Sequence, residues 1–258
     1  MNEKKFNRAF NIFLVAGMAV CLLIACIHNL QDPGDRPWLI ILASVGALMG
    51  VISTILAANA NILTFVFGLV DVLIYSYTLL DQNMPMTLAL HVFYFIPMEF
   101  IGFWQWRKRG GSASGESTLK ARRLKGKQWL WTALGFIGVF ALVMGLRWLF
   151  DTYVSHVPVP DFKDMALDCT MTAANITALV LMALAFTDQW YLWVLVNISS
   201  IIAWGTRLSE GGPESSYTIA QFLKYIFYLL NSINAIRIWL KLSKSDSAPV
   251  PEQAQGLE

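Results

Sequence analysis

Residues 189–204 read QWYLWVLVNISSIIAW. The stretch lies in a long apolar run, yet it carries three tryptophans and an asparagine. At about 100° per residue, Trp190, Trp193, Asn197 and Trp204 fall within a sector of roughly 60° on one helical face. A helix built for lipid gains nothing by turning an amide outward. Such a face expects a partner: another helix, or a cavity.

The rest of the chain supplies the context. It has 258 residues, 56% hydrophobic and only 14% charged, with a mean hydropathy of +0.53. Globular chains carry about 25% charged residues. The apolar residues come in blocks, and about 20 in a row cross a bilayer as a helix. The sequence therefore reads as an all-α polytopic membrane protein whose main partner is the lipid bilayer. We expect eight spans, at roughly 9–30, 37–58, 62–80, 84–106, 129–150, 164–186, 188–207 and 217–241. Cys21, Cys26 and Cys169 lie inside these blocks and read as small buried thiols. The first span can also be read as a lipoprotein signal cleaved before Cys26, which would leave the other spans unchanged.

Basic residues set the expected orientation. Lys4, Lys5 and Arg8, the loop RKRGGSASGESTLKARRLKGK, and Lys241 with Lys244 share one side if there are eight spans. The other loops are acidic or neutral, so both termini and the basic loop are expected to be cytoplasmic. The basic loop reads as a topology determinant, not as a nucleic-acid surface.

Two segments look like copies of one unit. FGLVDVLIY from Phe67 and WVLVNISSI from Trp193 pair at a constant offset, Phe67 with Trp193 and Asp71 with Asn197. FWQWRK from Phe103 and IRIWLKL from Ile236 end the two units alike. One helix between the units returns the chain to its starting side, so the repeats run parallel. The expected layout is an extra N-terminal helix (1–36), a first three-helix repeat (37–106), a basic loop with a linker helix (107–150), a second repeat (151–241) and a disordered tail (242–258). Parallel repeats place substrate near the midplane, between the halves.

Polar side chains at membrane depth are costly and face a cavity or a helix partner. They form stripes here. Trp190, Trp193 and Asn197 lie on the seventh span; Gln221, Lys224, Tyr228 and Asn231 on the eighth; Asp164, Asp168 and Asn175 on the sixth; Thr64, Asp71, Tyr75 and Thr78 on the third; His91 and Glu99 on the fourth. From these, the expected substrate-binding residues are Trp190, Trp193, Asn197, Gln221, Lys224, Tyr228, Asn231, Asp71 and Asn175. Indoles and phenols stack on a flat ring or a delocalised cation, and amides bond a carboxamide or hydroxyls. Asp71, Glu99 and Asp168 share no motif, which speaks against ion coupling. No HExxH, GxSxG, P-loop or metal-ligand spacing of Cys and His occurs, so no enzyme, metal or cofactor is expected.

W-x-x-W-x-x-x-N at Trp190, Trp193 and Asn197 resembles the PnuC family of bacterial vitamin transporters. NILTFVFGLVDVLIYSY and FYFIPMEFIGFWQWRKR look like helices of that family's first repeat. The resemblance spans roughly residues 40 to 241. It implies a three–one–three fold like that of the SWEET proteins and location in the bacterial inner membrane. It also implies facilitated diffusion of nicotinamide riboside, which a cytoplasmic nicotinamide riboside kinase traps by phosphorylation. Thiamine or riboflavin carriers share the architecture and stay open as alternatives, as does a membrane scaffold or receptor that moves nothing. A homo-oligomer is compatible with all of these.

Overall fold

The structure, a computed structural model, describes residues 3–31, 36–81, 85–114, 118–155, 162–210 and 216–245. Its helices are α1 (Glu3–Asn29), α2 (Pro37–Ala58), α3 (Thr64–Asp81), α4 (Pro85–Leu90), α5 (Ile96–Lys108), α6 (Gly126–Phe150), α7 (Phe162–Ala183), α8 (Gln189–Glu210) and α9 (Ser216–Ser245). The tail expected to be disordered lies almost wholly outside the described residues.

Two π turns extend helices. His91–Phe95 joins α4 to α5, with right-handed helical dihedrals at Leu90 and Ile96 on either side, so one rod runs from Pro85 to Lys108. Pro97 explains the widened turn. It has no N–H to give a carbonyl four residues back, and its ring would crowd that turn. Asp151–Ser155 extends α6, where Arg147 pairs with Asp151 at 2.7 Å.

Six helices form a closed ring. α2 packs on α3, α3 on α5, α5 on α7, α7 on α8, α8 on α9, and α9 back on α2. α1 packs outside the ring on α9 and α2, and α6 packs on α7. α6 buries none of its residues and exposes Leu130, Leu134, Ile137, Leu142 and Leu146, as a helix surrounded by lipid does. Lys241 donates to Glu3 at 2.6 Å, and Arg237 reaches the same carboxylate at 3.3 Å; this tether fastens α1 to α9 and holds the Glu3 carboxyl below the usual range.

Four helical stretches are long and apolar enough to cross a membrane: Lys5–His28, Pro37–Ala58, Gly126–Val154 and Met165–Ala183. Thr64–Leu80 is a shorter apolar helix. Eight crossings were expected. α3 is apolar but short, whereas the α4–α5 rod, α8 and α9 are less uniformly apolar, each carrying polar residues toward the ring's interior.

The turns before α3 and α8 match bond for bond. Asn59 donates to Ile55 O, Ala60 to Ala57 O and Asn61 to Leu56 O, at 3.2, 2.9 and 2.9 Å. Leu184 donates to Val180 O, Ala185 to Met182 O and Phe186 to Leu181 O, at 3.0, 2.8 and 2.8 Å. Ala60 and Ala185 both adopt left-handed φ, 52° and 59°, and both are fully buried. The next residues, Ile62 and Thr187, each donate to the basic loop, to Ser112 O and Arg122 O. The frames lie 125 residues apart. They pair Phe65 with Trp190 and Val72 with Asn197, which corrects by one residue the sequence pairing of Asp71 with Asn197. Apolar helices match one another in several registers, whereas a turn's hydrogen bonds match in one.

The basic loop does more than carry charge. Arg122 lies 4.1 Å over the Phe186 ring and donates twice to Leu184 O, and the Leu124 N–H bonds Asp188 Oδ2 at 2.7 Å. The loop thus straps the α7–α8 turn while Asn61 and Ile62 tie its other end to the α2–α3 turn.

Candidate functional site

The ring encloses a cavity of about 310 Å³ to which all six ring helices contribute side chains. That size lies at the lower end of small-molecule pockets. α8 supplies the face that was legible in 189–204: Trp190, Trp193, Val196, Asn197 and Ser200 all line the cavity. Trp190 is 2% exposed and Asn197 5% exposed, so neither reaches lipid. Trp204, one to two turns further on, does not line it.

Asn197 is held by its amide nitrogen. Nδ2 donates to Ser232 Oγ at 3.0 Å, and Ser232 donates in turn to Tyr228 O at 2.8 Å. This fixes the amide's rotation and leaves Oδ1 as the group available to a ligand. Beside it, Tyr225 and Tyr228 of α9 meet edge to face at 6.0 Å. Trp190 Nε1 is buried without a protein partner. One wall therefore offers two indoles, two phenols and an oriented amide.

The opposite wall is acidic. Asp71 of α3 sits against the bare backbone of α2, where a Cβ on Gly50 would stand 2.4 Å from its Oδ2. Glu99 of α5 sits against Gly68 of α3, where a Cβ would stand 2.9 Å from both carboxylate oxygens. Both acids line the cavity. The three acids share no motif in the sequence; these two nevertheless meet at the cavity, because glycines on the neighbouring helix make room for them. Asp168, the third, is exposed. Among the described residues, the lining includes no Lys, Arg or His. Ser53 and Thr64 add hydroxyls, bonded to each other at 3.0 Å.

Of the nine expected residues, six meet here: Trp190, Trp193, Asn197, Tyr228, Asp71 and Asn175. Asn175 keeps its Nδ2 on Met171 O at 2.8 Å. Lys224 is half-buried and outside the lining; its ammonium lies 5.1 and 5.9 Å from the ring centroids of Tyr225 and Tyr228 and within electrostatic reach of the Asp71 carboxylate. Asn231 faces away, toward α1 and α2, and donates to Thr54 O at 3.0 Å. The Gln221 side chain lies outside the described residues. Sequence reasoning missed Ser53, Glu99, Ser200, Tyr225 and Ser232 as lining residues. Tyr225 and Ser232 sit three before and four after Tyr228 and could have been found by extending its stripe. Ser53 and Ser200 are too common a residue type in membrane helices to signal anything alone.

Comparison with known proteins gives the family. The sequence pattern of the family described as "Nicotinamide mononucleotide transporter" matches residues 40–241. The nicotinamide riboside transporter PnuC of Neisseria mucosa is 31% identical over 208 residues, covering 80% of this chain and 74% of that protein. The PnuC of Haemophilus influenzae is 25% identical over 242 residues, covering 94% and 96%. A crystal structure of the vitamin B3 transporter PnuC aligns with a TM-score of 0.65 and 27% identity, covering 91% of this chain and 93% of that one. The family match runs from early in α2 into the last turns of α9 and so takes in the whole helical ring around the cavity; the chain belongs to the nicotinamide mononucleotide transporter family, whose members here are PnuC transporters, and is a membrane transporter and not an enzyme.

Proposed function

We propose that this transporter carries nicotinamide riboside through the ring cavity by facilitated diffusion. The relatives' names point to that substrate. The observation that carries the choice is the cavity's charge: Asp71 and Glu99 line it, and no basic residue does among those described. The riboside has a cationic pyridinium ring, which suits indole faces and carboxylates. The mononucleotide adds a phosphate, which binds where Arg, Lys or helix N-termini converge. Trp193 and Trp190 stack the ring, Asn197 Oδ1 accepts from the carboxamide, and the hydroxyls of Ser53 and Thr64 lie across from them for the ribose.

The finer architecture we propose is eight crossings: α1, then α2, α3 and the α4–α5 rod as one unit, α6 as linker, and α7, α8 and α9 as the second unit. The matching turns before α3 and α8 support this parallel repeat. The basic loop and both termini lie on the cytoplasmic side, where a kinase phosphorylates the product and prevents its return.

Calorimetric titration of the purified protein tests the substrate. Nicotinamide riboside should bind at least tenfold more tightly than its mononucleotide, thiamine or riboflavin. Equal or tighter binding of the mononucleotide overturns the charge argument. Tighter binding of thiamine selects the alternative carrier. Saturable uptake into liposomes removes the scaffold reading.

A further inference from the structure

At one end of the cavity the two three-helix units exchange tryptophans. The Trp106 indole, on α5, donates to Met182 O on α7 at 2.7 Å. The Trp239 indole, on α9, donates to Ala57 O on α2 at 3.0 Å. Ala57 and Met182 are corresponding residues: each accepts from the left-handed alanine three positions on, Ala60 or Ala185. Each unit thus reaches across to the same carbonyl of the other. The rings meet between them, 5.4 Å centroid to centroid. Phe65 packs edge-on against Trp106 at 4.9 Å, and its counterpart Trp190 against Trp239 at 6.1 Å.

The position of this layer matters. Ala57, Met182 and Trp190 line the cavity; Trp106 and Trp239 do not, and stand directly behind them with 0% exposure. Beyond lie the two turns and the basic loop, bonded to both. A solute leaving the cavity toward that end meets a closed layer of four aromatic rings. Both indole bonds run between units, so separating the units there breaks both. Mere packing of helices does not call for this arrangement, since each acceptor carbonyl also serves its own turn.

Resting on the reading of the cavity as a transport path, we propose that Trp106 and Trp239 are the paired gate residues on the basic-loop side, positioning the two units closed. Opening to that side releases both indoles from Met182 and Ala57 together. The Nε1–H groups set the closed population and leave substrate affinity to the cavity walls.

The test uses the full chain with its three cysteines replaced by alanine and Val72→Cys placed in the cavity wall. Trp106→Phe and Trp239→Phe keep a ring and remove the donor. Proteoliposomes of defined sidedness are labelled with an impermeant thiol reagent added at the basic-loop face. Each single variant should raise the labelling rate about fivefold, the worth of one buried hydrogen bond, and the pair about 25-fold. Affinity for nicotinamide riboside should stay within about twofold. Labelling at the parent rate in variants with parental melting temperature overturns the gate. So does a rise in labelling equal at both faces, which marks general loosening. If the double variant does not purify as a monodisperse protein, the two single variants decide by the same criteria. Labelling needs no substrate, so a wrong substrate assignment leaves this test intact and shows only in the titration.

Discussion

The carboxylate of Glu99 rests on the bare backbone of Gly68, both oxygens 2.9 Å from where a Cβ would stand. Gly102, one turn after Glu99, has a different neighbour: its Cβ would stand 2.2 Å from the Phe65 ring, in the layer with Trp106. The two glycines therefore predict opposite outcomes. In Gly68→Ala the obstacle is the free end of a flexible side chain facing a cavity. Glu99 swings inward, the fold survives with a loss below about 1 kcal/mol, and substrate affinity changes. In Gly102→Ala the obstacle is a rigid ring at 2% exposure, and overpacking costs about 1–3 kcal/mol. Thermal unfolding in detergent, with titration of the surviving protein, separates the two. A Gly68→Ala protein that melts like Gly102→Ala contradicts the placement of Glu99.

Trp193 lines the cavity and Trp190 both lines it and braces Trp239. Trp193→Ala should weaken nicotinamide riboside binding by about 1–3 kcal/mol, the sum of a lost stack and lost buried area. Trp193→Phe should lose less, and neither should move the melting point by more than a few degrees. Trp190→Ala should cost both affinity and stability. Unchanged affinity in a folded Trp193→Ala protein removes it from the site.

Much of α8's role was legible because tryptophan and asparagine are conspicuous in an apolar helix. Their 60° sector predicts a cavity-facing wall, which Trp190, Trp193 and Asn197 form and Trp204 does not join. The acidic wall was not legible to the same degree. Asp71 and Glu99 are visible as residues, but their convergence depends on Gly50 and Gly68, and a glycine in a membrane helix does not announce which neighbour it admits. The likeness of the two segments was visible and its register was not. Aromatic and apolar residues match at 126 as well as at 125, and only the bonds of Ala60 and Ala185 choose. Asn231 shows the reverse error. Its spacing from Tyr228 placed it on the stripe, but a stripe that drifts across 10 residues passes from the cavity to the α2 interface, where Thr54 O takes its amide.

Asn197 gives its Nδ2 to Ser232, so a ligand meets Oδ1. Asn197→Leu should lose about 1–3 kcal/mol of binding, since the ligand's donor is then buried unpaired. Ser232→Ala removes the anchor without removing the acceptor, and should cost less, about 1 kcal/mol. Titration calorimetry on both variants checks the order. A larger loss in Ser232→Ala reverses the assignment and makes Ser232 the ligand's direct partner.

The last expectation concerns driving force. Two carboxylates face the cavity, and intramembrane carboxylates that titrate are the usual machinery of coupled transport. Here they have another use: a cationic substrate needs compensation at depth, and Asp71 and Glu99 supply it opposite the aromatic wall. The substrate's own charge is then drawn inward by the membrane potential, worth about 2.3 kcal/mol per charge per 100 mV. On the proposed reading, that potential together with phosphorylation of the product inside gives net uptake without ion coupling. In proteoliposomes with the voltage clamped, flux of nicotinamide riboside should be saturable and indifferent to an imposed proton or sodium gradient. Asp71→Asn and Glu99→Gln should each weaken binding while leaving that indifference intact, because they remove compensation and not a coupling ion's ligand. Accumulation above equilibrium under either gradient, abolished by Asp71→Asn or Glu99→Gln, makes the pair a coupling site and the protein a symporter.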